Sequence, residues 1–394
     1  MEPFKNLLNP KGVHDAAARL QSQSAHFDGQ QFAAMACEGL EALELKARAL
    51  HICAALEATL PADFEAAAAL LEAALAPPTA DNVVSAPGDL RHGLRGWILW
   101  PAGEYIARHG MAQPARALAA LHALTQRFTA EFAIRPFIVK HPDLVFDTLT
   151  RWTQDPSAHV RRLVSEGSRP RLPWGLRLQA LVQDPTPTLP LLRALQDDPS
   201  DYVRRSVANH LNDIAKDHPA LVAEWLHEHL PDAPAPRRAL LRHASRTLVK
   251  QGHPQALKAW GLGGALRGSA TLQVTPARVT LGGELMIELR LQSTAPRAQK
   301  LVIDYAVHHV KADGSTSPKV FKGWILDLPA LGALTLVKRH ALRPVTTRRY
   351  HPGHHPLTVQ VNGRDVARGE FTLRLPKATT QETGVAKRPR GVKY

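Results

Sequence analysis

Cysteine is nearly absent: the 394 residues contain two, Cys37 and Cys53. That excludes a disulfide framework and a cysteine-based structural zinc site. No apolar run approaches the ~18–20 residues that a membrane-spanning helix needs. The first ten residues, MEPFKNLLNP, lack the apolar core of a secretory signal. The expectation is a soluble protein of a reducing cytoplasm with no membrane partner. A Gly-rich phosphate loop is also missing, as is the zinc-deaminase pairing of H-x-E with P-C-x-x-C. Histidine is plentiful at 20, and residues 351–355 read HPGHH. Adjacent histidines in a loop, without cysteine or a spaced carboxylate, make poor ligand geometry, so no metal site is expected.

What is present is ample apolar material, 44% of the chain, with 21% charged residues, a globular composition. The length suits two or three domains. The formal net charge is +14, unevenly spread. Residues 1–150 sum to −4, residues 151–260 to +5 and residues 261–394 to +13. A graded basic excess suggests that two segments face a polyanion together.

Residues 1–260 are rich in Ala and Leu at helical spacing, as in GLEALELKARALHICAALEATL. After Gly264 the period changes to two. Leu285, Ile287, Leu289 and Leu291 alternate with polar residues, as do Leu301, Ile303, Tyr305 and Val307, then Leu357, Val359 and Val361, then Phe371, Leu373 and Leu375. Turn signals at 312–314, 351–353 and 362–363 separate them. Six to eight short strands in ~110 residues suggest a small sandwich of immunoglobulin type. The expected domains are 1–262, 265–376 and a disordered basic tail, 377–394.

An internal repeat lies in the helical part. DPSAHVRRLVSEG begins at Asp155 and DPSDYVRRSVANH at Asp198, 43 residues later, with seven of thirteen positions identical. Asp followed by Pro reads as an N-cap with Pro at the first helical position. A degenerate third unit is RRALLRHASRTLVKQGHP. The spacing suits HEAT-like helix pairs. The fold expected is therefore an all-α HEAT-like repeat solenoid followed by a small all-β immunoglobulin-like sandwich.

A helix from about Tyr202 would bury Val203, Val207, Leu211 and Ile214 and carry Arg205, Asn209, Asp213 and Lys216 on another face. Arg162, Glu166 and Arg169 take the matching face one repeat earlier. Such faces are often merely solvated and laced with local ion pairs. The pairs Arg161/Arg162 and Arg204/Arg205, at a fixed repeat position, also suit the tracking of phosphates, with Arg171 near them. In the sandwich, Lys338, Arg339, Arg343, Arg348 and Arg349 bracket turns where loops are exposed.

The stretches VRRLVSEGSRPRLPW, DDPSDYVRRSVANHLNDIAKDHP and LTQRFTAEFAIRPF resemble the AlkC branch of the HEAT-like-repeat DNA alkylation-repair glycosylases. The resemblance covers about residues 1–260, and the C-terminal strands are similar to the immunoglobulin-like domain of one AlkC subgroup. Two positions depart from the pattern: His210, where Asn is expected, and Trp100, where a smaller apolar residue is expected.

The resemblance implies a monomeric, cofactor-free glycosylase that excises 3-methyladenine and 3-methylcytosine from double-stranded DNA and is nucleoid-associated when bound. It assigns Asp213 to stabilising an oxocarbenium ion and placing water, Trp174 to stacking and cation–π attraction, and Glu131 to negative potential beside the lesion. From the residues alone, Asp213 also fits an i,i+3 pair with Lys216 and Glu131 an i,i+4 pair with Arg135. Trp174 equally fits a ring packed between repeats. A non-catalytic DNA-binding protein of this fold and a HEAT-repeat adaptor for proteins are the other readings.

Overall fold

A computed structural model describes residues 3–78, 92–262, 264–345 and 349–376. The chain divides into two compact units, Met1–Thr247 and Leu248–Tyr394. No helix among the described residues is long and apolar enough to cross a membrane.

The first unit is helical. In chain order its helices are α1 (Pro10–Gln23), α2 (Gly29–Cys37), α3 (Leu45–Thr59), α4 (Phe64–Ala74), α5 (Trp100–His109), α6 (Pro114–Thr125), α7 (Arg135–Lys140) and α8 (Pro142–Trp152). They continue with α9 (Ala158–Gly167), α10 (Gln179–Gln183), α11 (Leu189–Leu195), α12 (Asp201–Ile214), α13 (Pro219–His229) and α14 (Ala235–Ala244). Pro opens α1, α6, α8 and α13, where its missing N–H costs nothing and its fixed φ suits the first turn. Asn9, Asp28 and Asp63 cap α1, α2 and α4 by accepting from backbone N–H groups at 2.8–2.9 Å.

The repeated segments become α9 and α12, which pack on one another, and α12 packs in turn on α14. The Asp-Pro steps sit two positions further out than the sequence pattern suggests. Ser157 and Ser200 are the N-cap residues, and the helices begin at Ala158 and Asp201. Asp155 and Asp198 accept from the Ser157 and Ser200 N–H groups, each at 2.8 Å, with the proline between them outside the helix. That is an Asx turn leading into the helix. Along α12, Val203, Val207, Leu211 and Ile214 form the buried stripe, as their spacing requires.

The second unit begins earlier than the change of period at Gly264. The C-terminal part of α15 (Arg246–Lys250) and all of α16 (Pro254–Ala259) belong to it. Gly252 and Gly363 meet backbone to backbone: a Cβ on Gly363 would lie 2.2 Å from the Gly252 Cα. Asn362 Nδ2 donates to the Gly264 carbonyl at 3.0 Å, and its Oδ1 accepts from Val302 N at 2.9 Å. The linker is therefore fastened to the sandwich rather than free of it.

Eight strands follow: β1 (Gly268–Thr275), β2 (Arg278–Thr280), β3 (Glu284–Ser293), β4 (Gln299–Val310), β5 (Thr316–Leu328), β6 (Ala333–Ala341), β7 (Gly353–Val361) and β8 (Arg364–Arg374). They form two sheets, β1-β3-β6 and β2-β8-β7-β4-β5, antiparallel except for the β2–β8 pair. The alternating residues fill the core between the sheets, from Leu285 through Val307 to Leu373. Leu375 is the exception: it lies past the end of β8 and is exposed. Asn362 and Gly363 both take positive φ, 50° and 77°, the conformation a two-residue hairpin turn requires. His355 is buried, stacks on Phe371 with 5.2 Å between ring centroids, and hydrogen-bonds the His351 carbonyl. It is a core residue of β7. Arg348 and the segment 377–394 lie outside the described residues.

Candidate active site

The turn after α6 carries Glu131. Its carboxylate pairs with Arg162 of α9 and accepts from the Thr129 hydroxyl at 2.7 Å. Thr129 in turn accepts from Arg162 at 2.9 Å. Glu131 therefore does not pair with Arg135. Arg135 opens α7, is fully buried, and donates to the carbonyls of Gly167 (2.7 Å) and Leu176 (2.5 Å). It ties the end of α9 to the turn that holds Trp174. Burial pushes its guanidinium pKa down to about 10, so it stays charged at neutral pH.

Trp174 sits at the tip of that turn with φ 63° and 64% of its surface exposed. The packed-ring alternative is thereby removed. A non-Gly residue at positive φ is uncommon and, in a bulky side chain, marks a conformation imposed by its surroundings. Here the Leu172 carbonyl accepts from Gly175 N and the Pro170 carbonyl from Leu178 N, each at 3.2 Å, closing the loop beneath it.

Behind Glu131 runs a chain of ion pairs between α9 and α12. Arg169, just past the end of α9, donates to Glu166 at 2.5 Å and, through Nε and Nη2, to Asp213 Oδ2 at 2.8 Å. Glu166 also accepts from the Ser206 hydroxyl at 2.6 Å. Lys216 takes the other Asp213 oxygen at 2.8 Å, so the i,i+3 pair does form. Asp213 is only 2% exposed, covered by these two cations. Burial alone would raise the Glu166 pKa; Arg162, Arg169 and Ser206 outweigh it and hold the carboxyl below its usual range. Against the same cost of burial, Glu131 and Glu166 hold Arg162 above its ordinary value, and Glu166 and Asp213 do the same for Arg169.

Glu131, Glu166, Arg162, Arg169 and Trp174 line one cleft of about 370 Å³. Its walls add Trp97, Phe128, Phe132, Leu172, His159 and Tyr202. Trp97 lies 5.4 Å from Phe128 and 5.9 Å from Trp100, and Trp100 stacks on Phe132 at 5.0 Å. Trp100 is thus a buried backing for the aromatic wall. On the other side the Arg162 guanidinium lies 5.3 Å from the Tyr202 ring centroid. His159 meets Tyr202 edge-on at 5.7 Å.

The paired arginines divide their work. Arg161 binds Asp198 bidentately at 2.6 and 3.1 Å and donates to the Asp155 and Pro156 carbonyls. Arg204 donates to the Asp198 and Pro199 carbonyls at 2.6 and 2.8 Å. Both lock the turns leading into α9 and α12. Arg162 belongs to the cleft, and Arg205 is exposed. Arg171 forms a two-pronged pair with Asp217 at 2.6 Å. The Asn209 amide oxygen faces His243 Nε2 at 2.9 Å and accepts from Arg246 at 3.2 Å, fastening α12 to the end of α14. In the sandwich, Lys338 donates to the Lys322 carbonyl at 2.7 Å and lies over Trp324. Arg339 is 75% exposed, with Glu284 3.7 Å away, and Arg343 and Arg349 are exposed.

Sequence reasoning passed over Tyr202, His159 and the aromatic wall. The repeat itself held a signal: His159 and Tyr202 occupy the same position in the two copies, 43 residues apart, and they touch. His210 is fully buried, with Nδ1 facing the Ser165 carbonyl at 2.9 Å. Burial pushes its pKa down to about 4, so it is neutral at pH 7. Among the described residues no group of three or more His, Cys, Asp or Glu could hold a metal ion.

A family model described as "DNA alkylation repair enzyme" matches residues 128–248, which supply most of the cleft lining. A second, described as "Uncharacterised protein YhaZ, C-terminal Ig-like domain", matches residues 268–375. The curated relative "Uncharacterized protein YhaZ" of Bacillus subtilis is 34% identical over 369 residues, 92% of this chain and 97% of the relative. The solved structure of Pseudomonas fluorescens alkylpurine DNA glycosylase AlkC, bound to DNA containing an abasic site analog, is 36% identical. The match covers 95% of this chain and all of that one, with a TM-score of 0.86. Fold and cleft together define a helical DNA alkylation-repair architecture followed by an immunoglobulin-like domain. Within that class, the chain belongs to the AlkC family, in the branch that carries the C-terminal domain.

Proposed function

We propose that the protein is a monomeric DNA glycosylase that removes cationic alkylated bases, 3-methyladenine and 3-methylcytosine, from double-stranded DNA without a cofactor. The helical unit acts as a HEAT-like repeat solenoid that cradles the duplex, in a cytoplasmic setting and on the nucleoid. The chemistry fits the groups available. An N3-alkylated base is already a cation, so it leaves with the glycosidic electron pair as a neutral molecule and needs no general acid. Positive charge then builds on the sugar, and water adds at C1′ while its proton passes to a carboxylate. Glu131 supplies negative potential at the cleft wall, and the exposed Trp174 ring offers a π face to the charge.

Asp213 enters this chemistry through the DNA. In the free protein Lys216 caps one of its oxygens, and Lys216 is 44% exposed. A phosphate that takes the Lys216 ammonium frees that oxygen for the sugar or its water. Arg205, on the same face of α12, is placed to join it on the backbone.

The observation that carries this reading is the convergence of Glu131 and Trp174 on one cleft, with Asp213 one guanidinium behind it. The test is direct. Methylated duplex DNA is incubated with the protein and a chelator, and free base and alkali-labile sites are measured. Release of 3-methyladenine supports the reading; no release above the buffer rate removes it.

A further inference from the structure

Glu166 stands at the centre of the ion-pair chain, yet it has no role in the chemistry above. One of its oxygens accepts from Ser206. The other receives Arg169 at 2.5 Å, and Arg162 stands 3.6 Å from it. Those guanidinia hold the two reacting carboxylates: Arg162 holds Glu131, and Arg169 holds Asp213. Glu166 is 6% exposed, so solvent does little to screen it. In this inner array three carboxylates face the guanidinia of Arg162 and Arg169, and the buried, charged Arg135 acts on all three, so the charges balance only with Glu166 counted. Lys216 adds to the cations only from the solvent side, where water screens its ammonium.

We infer that Glu166 is a positioning residue that spaces Arg162 and Arg169, and that its charge makes the cleft select a cationic lesion or sugar over a neutral one. The inference rests on the glycosylase reading above. Without the Glu166 charge, two carboxylates would face three guanidinia, those of Arg162, Arg169 and Arg135. The array would carry a positive excess, and the arginines would press on each other and on an incoming cation. Ser206 fixes the rotamer of Glu166 and so shares the positioning role but not the charge.

The experiment uses the full chain and duplexes carrying either of two abasic-site analogues, a protonated pyrrolidine and a neutral tetrahydrofuran. The wild type should prefer the pyrrolidine. In Glu166→Gln that preference should fall ~10-fold, the scale on which a second layer of contacts tunes a site. Tetrahydrofuran affinity should stay within about twofold, because the groups that meet phosphate are untouched. Ser206→Ala should keep the preference and lower kcat for 3-methyladenine about 3–10-fold, the worth of one hydrogen bond, at unchanged KM. An undiminished pyrrolidine preference in folded Glu166→Gln overturns the charge role. Full kcat in Ser206→Ala overturns the positioning role, even should Glu166→Gln fail to fold. A wild type that neither releases base nor prefers the pyrrolidine defeats the glycosylase reading itself. A wild type that does both, matched by Glu166→Gln, defeats only the inference about Glu166.

Discussion

The two compact units use the same residue type in opposite ways. Around the helical cleft the arginines are already engaged: Arg161 and Arg204 hold backbone carbonyls, and Arg162 and Arg169 hold buried carboxylates. In the sandwich, Arg339, Arg343 and Arg349 stand exposed on a segment whose acidic residues are too few to balance it, with a net of +13 over residues 261–394. A guanidinium fixed between carboxylates sets geometry; one in water is available to a phosphate. Basic composition alone does not separate these roles, and the hydrogen-bond partners do.

The sharpest test of the division is Asp213→Asn. It should slow base release at least ~100-fold, the scale of losing a key charge-stabilising group, while DNA affinity holds. Near-normal excision would move the chemistry from Asp213 to the groups that line the cleft itself. Next comes Trp174. Trp174→Ala should lose more activity than Trp174→Phe, which keeps a weaker π face, and neither should change the melting temperature because the ring is 64% exposed. A melting temperature that falls along with activity would assign the loss to the fold of the loop and not to the π face.

The exposed cations can be set against the engaged ones directly. Replacing Arg339, Arg343 and Arg349 with Ala in the full chain should flatten the salt dependence of DNA binding, by a log–log slope of ~0.9 for each phosphate that is no longer neutralised. Lys216→Ala should behave similarly, with kcat at saturating DNA retained. Arg161→Ala should instead lower stability by ~1.5–3 kcal/mol, the range for hydrogen bonds to charged groups, measured by denaturant unfolding. An unchanged salt slope in the triple variant would leave the sandwich charge a matter of solubility alone.

A further effect, confined to acid pH, belongs to the helical unit alone. His210 has a folded-state pKa of about 4 against an ordinary 6.5. Between those values the unfolded chain binds a proton that the folded chain refuses, so stability falls as pH drops from 6.5 to 4. The difference amounts to about 3 kcal/mol from this one residue. In His210→Asn that part of the slope in a pH series of urea unfolding curves should vanish; an unaltered slope would assign it to other groups.

Periodicity made the helices of α12 and the strands of the sandwich core legible, because a 3.6 or 2.0 repeat of apolar residues follows from which face is buried. It placed Val203, Val207, Leu211 and Ile214, and the core of β3, correctly. Pairing across long separations was not legible. Glu131 has Arg135 at i+4, yet it pairs with Arg162, 31 positions on, because the α6–α7 turn lies against α9 and Arg135 is drawn inside to two carbonyls. Asn209 matches a DNA-facing stripe by spacing but is taken by His243 and Arg246 from α14 and the segment after it. The Asp-Pro steps misled by two positions, since an Asx turn and an N-cap offer the same carboxylate different N–H groups.

The exposed ring of Trp174 also has a spectroscopic consequence. Of the seven tryptophans it is the most open to water, whereas Trp100 and Trp225 are 4% and 3% exposed. An indole so placed emits toward the red of its buried counterparts and is quenched by whatever stacks on it. The protein thus carries its own optical reporter of cleft occupancy, free of any added label. Titrating duplex DNA and following the solvent-exposed component of the emission would read arrival at the cleft separately from binding elsewhere on the surface.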